Sequence, residues 1–121
     1  MNIIEQQLKQ LEEKFPLAEI LYNGKNLGTL HIPQIKLPIG WNKSITDIYF
    51  YIPYGFPSAC PQHFYTSYDL RLENGCNPRA TQSIENYKYL MFYWRLDKWS
   101  PNYDTLLTYV RVIQNRFRQP I

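Results

Sequence analysis

Two cysteines, two histidines and an aromatic run leading to an aspartate are the residues of this sequence that could do chemistry. A thiolate can attack an acyl carbon or bind a metal, an imidazole can move a proton, and Tyr or Trp can line a contact surface with one polar end kept wet. Cys60 and Cys76 are too few for a disulfide framework, and neither stands at a C-x-x-C or Cys/His ligand spacing, which argues against a structural zinc site. His31 and His63 have no Cys, Ser or carboxylate at motif spacing and read as surface or satisfied core residues. Cys60, between Ala59 and Pro61, reads as a small buried hydrophobe. There is no nucleophile motif, phosphate loop or ligand cluster, so no metal or other cofactor is expected.

These residues have to be positioned by a short series of elements. Ile4, Leu8, Leu11 and Phe15 form one apolar helical stripe, and Pro16 ends it. The period then changes. Leu17 to Tyr22 and Leu27 to Leu37 read as a hairpin around Asn23-Gly24-Lys25-Asn26, with Pro33 marking an edge or a bulge in the second strand. Ile45 to Ile52 alternates cleanly, Ile48, Phe50 and Ile52 on one face and Tyr49 and Tyr51 on the other. Pro53 to Pro61 is a rigid loop, Phe64 to Leu72 a fourth strand, and Glu73 to Asn86 a long polar loop. Tyr87 to Trp99 is too densely aromatic to assign by period beyond extended or turn structure. Ser100 as N-cap and Pro101 at the first position start a last helix, striped by Leu106, Val110, Ile113 and Phe117. Arg111, Arg116 and Arg118 fall towards its negative end.

At 121 residues and 45% hydrophobic side chains, the chain makes one α+β domain over 1–121. A net charge of +3 from 13 basic and 10 acidic residues, spread along the chain, lacks the concentrated basic stripe of a nucleic-acid binder. The charged start (Glu5, Lys9, Glu12) and the lack of any apolar run near about 18 residues argue against a signal peptide or membrane span and for the cytoplasm. Aromatic residues make up 17% of the chain, eleven of them Tyr, more than core filling needs, which points to a partner surface.

Four pieces in order carry a resemblance: Leu37-Pro38-Ile39-Gly40-Trp41-Asn42; Ile52-Pro53-Tyr54-Gly55-Phe56-Pro57 with Pro61; Phe64-Tyr65-Thr66 continuing to Asp69-Leu70-Arg71-Leu72; and Trp99-Ser100-Pro101. Together they resemble the ubiquitin-conjugating (UBC-like) fold, and more closely the bacterial branch, prokaryotic ubiquitin-conjugating-like family E. The resemblance implies an N-terminal helix, a four-stranded antiparallel meander and a C-terminal helix. It also implies that the stiff proline turn and the tryptophan-led helix brace the same sheet.

It further implies a thioester chemistry that this sequence does not support at its usual place. Met91 stands eight residues before Trp99, where the family carries its cysteine, and a thioether cannot hold an acyl group. Tyr68-Asp69-Leu70-Arg71 replaces the His-Pro-Asn stretch, and Arg95 stands where bacterial members often have His. Two readings of Cys76 follow: a substitute nucleophile brought to the cleft with His63 or Asp69 nearby, or an ordinary solvent-facing loop thiol. Asp97 is likewise either an acid that helps desolvate an incoming lysine or a turn residue before the helix. The implied partners are a ubiquitin-like protein and its activating enzyme, with Tyr93, Trp94 and Arg95 as binding residues. The competing function is a non-catalytic interaction module using Tyr87, Tyr89, Phe92, Tyr93 and Trp94 as one aromatic surface.

Overall fold

The computed structural model describes residues 2–22, 24, 26–84 and 88–120 of the chain, so parts of the expected first turn (Asn23, Lys25) and of the aromatic run (Tyr87) lie outside the described residues. The elements run α1 (Ile3–Glu12), β1 (Glu19–Leu21), β2 (Gly28–Lys36), β3 (Ile45–Ile52), β4 (Phe64–Ser67), β5 (Thr81–Ile84), β6 (Tyr89–Phe92) and α2 (Leu106–Phe117). The six strands form one sheet in the order β1-β2-β3-β4-β6-β5, with every neighbouring pair antiparallel.

Four strands were expected and six are present among the described residues. Thr81-Gln82-Ser83-Ile84 sits inside the stretch expected to be a long loop, and its polar composition gives no alternation to read. Its backbone pairs with β6, whose Leu90 and Phe92 turn into the core. The expected fourth strand stops at Ser67, because Asp69 to Leu72 turns away to dock on the Gly40-Trp41-Asn42 turn. Asn42 donates from its backbone N–H to the Arg71 carbonyl (3.0 Å) and accepts from the Arg71 N–H at Oδ1 (2.9 Å). Pro33 does lie at an irregularity, since the β2–β3 register shifts between Ile32 and Ile35.

Ile48, Phe50, Ile52, Phe64, Leu90 and Phe92 form the covered face of the sheet, beneath α2. Tyr109 meets Phe50 edge-on at 4.8 Å, and Phe117 meets Phe64 and Phe92 at 5.6 and 6.0 Å. The helix starts later than its Ser100-Pro101 signal suggests. Ser100 instead closes a turn, accepting from the Tyr103 and Asp104 N–H groups and donating its own to Asp104 Oδ2. Thr105 is the N-cap, paired reciprocally with Thr108, and the buried Gln7 of α1 accepts from the Leu106 N–H at 2.7 Å. Two first-turn donors that would otherwise face no partner are thereby met, one of them by the other helix. Replacing Thr105 with alanine should cost about 1 kcal/mol, read as a lower urea midpoint at unchanged slope.

The bracing expected from the sequence is present. Trp99 Nε1–H donates to the Pro57 carbonyl at 2.7 Å, and its indole lies 6.1 Å from the ring of the buried Phe56. The proline turn and the segment leading into α2 are tied at the same end of the sheet. Among the described residues no helix is long and apolar enough to cross a membrane.

Candidate functional site

After β6 the chain leaves the sheet as Tyr93 to Asp97 and passes over α2. It leaves a cleft of about 470 Å³ lined by Tyr93 to Asp97 on one side and Val112 and Asn115 on the other. The path is set by hydrogen bonds at its start. Tyr93 N–H donates to the Ala80 carbonyl (2.8 Å), its phenol donates to Gln82 Oε1, and the Trp94 carbonyl accepts from the Tyr109 hydroxyl (2.6 Å). Burial, and after it the proximity of Cys60 and Tyr65, pushes the Tyr109 phenol far above its usual range, so it stays a neutral donor.

The cleft's lining carries one cation and one anion, Arg95 and Asp97, and two further guanidiniums lie against Trp94. The Trp94 indole is flanked by two guanidiniums, Arg79 at 5.3 Å and Arg116 at 5.2 Å from the ring centroid, distances at which a cation is attracted to the ring quadrupole. Arg116 is 1% exposed and its Nε has no hydrogen-bond partner among the described residues. Its Nη1 and Nη2 donate to the Gln119 and Arg79 carbonyls at 2.6 and 3.1 Å. Burial, and behind it the Arg79 cation, lowers its pKa to about 10, which still leaves it charged at neutral pH. Arg95 donates from Nη1 to Gln62 Oε1 at 3.0 Å. Asp97 is exposed at the end of the segment. Such a cleft suits an extended chain that offers carbonyl oxygens or a carboxylate.

Of the site residues read from the sequence, Tyr93, Trp94, Arg95 and Asp97 line this one cleft. Cys76 does not. It is exposed on a turn where its carbonyl accepts from the Leu72 N–H (2.9 Å) and its own N–H donates to Asn74 Oδ1 (3.0 Å). That turn is tied through Glu73 N–H to the Gly40 carbonyl (2.9 Å), away from the residues of the cleft. The aromatic run is divided between surfaces: Phe92 is wholly buried, Tyr89 and Trp94 are half-buried, and Tyr93 is exposed.

Met91 occupies the middle of β6, opposite Tyr65 of β4 on one side and Gln82 of β5 on the other. A position paired on both sides belongs to the sheet rather than to a loop at its rim, and its thioether offers no nucleophile there.

Arg79, Arg116, Val112 and Asn115 escaped the reading of the sequence. Arg116 had a visible signal: it stands three residues after Ile113 and seven after Tyr109, on the apolar stripe of α2, where a basic residue must be buried against something. It was assigned to the helix dipole instead.

A helix, an antiparallel sheet, a proline turn bonded to a tryptophan before the last helix, and a cleft at the end of β6 together define an α+β domain of the ubiquitin-conjugating type. The chain belongs to prokaryotic E2 family E, whose family model matches residues 4–119. No curated protein and no solved structure matches it.

Proposed function

We propose that the protein works in a bacterial ubiquitin-like conjugation system as a conjugating-enzyme-like component that forms no acyl intermediate at the position of Met91. Its cleft at Tyr93 to Asp97 receives the C-terminal segment of the ubiquitin-like protein. The observation that carries this reading is the cleft itself: within the E2 family frame, the residues beside the usual nucleophile position make an aromatic groove with Arg95 and Asp97 along it and no thiol among those that line it.

Arg95 would meet carbonyl or carboxylate oxygens of the tail, Trp94 would cover its backbone, and Asp97 would attract an approaching amine. Positive charge here acts mainly on encounter and register, and a rim charge is the safest to change without disturbing the fold. Arg95→Glu should therefore weaken binding to the cognate ubiquitin-like protein at least tenfold, read by titration calorimetry, while the melting temperature stays put. Unaltered affinity would move the site elsewhere. Binding to the activating enzyme alone would assign the cleft to that partner, and binding to neither component would reject the proposal.

A further inference from the structure

The cleft at Tyr93 to Asp97 carries hydrogen-bond donors that the protein's own acceptors leave free. Arg95 gives one N–H to Gln62 Oε1 (3.0 Å), and its other donors meet no acceptor among the described residues. Across the cleft, on α2, Asn115 is held by Arg118, whose Nη1 donates to the amide oxygen Oδ1 at 2.8 Å. An amide whose oxygen is taken in this way has its NH2 as the available end, and that end has no acceptor among the described residues.

The charge around these donors is unbalanced. The ion pairs of the described residues join His31 to Glu19 and Asp47, and Lys43 to Asp69. Arg79, Arg95, Arg116 and Arg118 therefore have no carboxylate partner among them. Arg79 and Arg116 lie against Trp94 at 5.3 and 5.2 Å from its centroid, and the 1% exposed Arg116 keeps an unpartnered Nε. Burial first, and then the Arg79 cation, work against charge on Arg116, a strain that an anion nearby would offset. The one carboxylate of the cleft's lining, Asp97, is outnumbered by Arg95 and the two guanidiniums on Trp94.

We propose that this cleft is built for a free C-terminal carboxylate at the end of an extended chain, with Arg95 and the Asn115 amide as its direct donors. Arg79 and Arg116 act on its charge through space, since Nη1 and Nη2 of Arg116 are committed to the Gln119 and Arg79 carbonyls. A thioester or amide is neutral there and offers a single carbonyl oxygen. A carboxylate brings two acceptor oxygens and a full charge, which matches donors approaching from two sides. The inference rests on the reading of the cleft as the seat of the ubiquitin-like tail, and it adds the state in which that tail is met. The tail is bound before activation or after hydrolytic release, and not while it is carried as a thioester.

The test compares the peptide acetyl-Ala-Leu-Ala-Gly-Gly as its free acid and as its C-terminal amide, titrated into the isotope-labelled full chain and read by NMR at the Trp94 indole and the Arg95 side chain. The acid should bind about tenfold more tightly than the amide, the worth of a hydrogen bond between charged groups. Arg95→Gln should bring the two within about twofold, and Asn115→Ala should weaken the acid about threefold without touching the amide. Both positions are exposed, so the melting temperature should hold in each variant. Equal binding of acid and amide, no saturable binding of the acid, or a preference that survives Arg95→Gln would overturn the proposal. Inorganic phosphate is titrated alongside: phosphate binding as tightly as the peptide acid would show a general anion site and overturn it too, and much weaker phosphate binding supports it. Equal binding of acid and amide would still leave the cleft as a groove for the tail. The calorimetric test with the whole ubiquitin-like protein can in turn fail while the peptide preference holds, so the two readings fall separately.

Discussion

Trp41→Ala should lower the free energy of unfolding by about 3–5 kcal/mol, the largest loss expected from any single change in this chain. The indole is 6% exposed and sits between Phe117, edge-on at 5.6 Å, and Phe92, tilted at 6.3 Å. Truncation removes this ring and leaves a void that a sheet on one side and a helix on the other cannot close. It also removes the Nε1–H bond to the Phe117 carbonyl (2.8 Å), which meets one of the free acceptors at the end of α2. Trp41→Phe separates the two effects. It keeps most of the packing and strands the carbonyl, so it should cost about 1–3 kcal/mol. Urea unfolding followed by far-UV circular dichroism decides the matter, and a Trp41→Ala loss under about 1 kcal/mol would mean that the site collapses onto itself.

Arg116→Ala should be the second most damaging change, at about 3 kcal/mol. Two opposing terms set the figure. Burying a guanidinium without a carboxylate is expensive, as its lowered pKa records. Against that stand its two backbone acceptors and the faces of Trp41, Phe92 and Trp94, all within 5.7 Å of the cation. Alanine forfeits the side-chain packing as well as these contacts. Arg116→Met keeps much of the apolar bulk and removes the buried charge, so it should cost clearly less than alanine. Equal losses for the two would show that the charge itself, rather than the packing, holds the cluster together. Since Trp41 and Arg116 touch, their alanine variants combined should lose less than the sum of the two.

What could be read from the sequence follows from how strongly each element announces itself locally. β3 did so by strict alternation, and α1 by its stripe, because both place one side in the core and the other in water. That the proline turn and the segment at Trp99 brace the same sheet was implied by the family resemblance, and the Trp99 bond to the Pro57 carbonyl is how they do so. β5 was hidden because its mostly polar sequence gives no alternation to read, while its backbone pairs along β6. The start of α2 was misread because two cap signals lie five residues apart. Ser100-Pro101 satisfies the local rule, yet Thr105 has its reciprocal partner Thr108, and the next residue, Leu106, donates its N–H to Gln7 from 99 residues away in sequence. The four cleft residues were legible as a segment, whereas Arg79 and Arg116 reach Trp94 only through the fold. Cys60 reads from Ala59 and Pro61 as a buried hydrophobe, yet it is half-buried, with the Gln62 amide donating to its sulfur at 3.1 Å.

The bond from Gln7 to Leu106 also bears on how the chain is made. Within this domain α1 is made before α2, so its apolar stripe waits for its helical neighbour through synthesis of the whole sheet. The nascent domain carries that sticky side uncovered while the strands between the two helices are made, which is the interval in which a holdase would have something to grip.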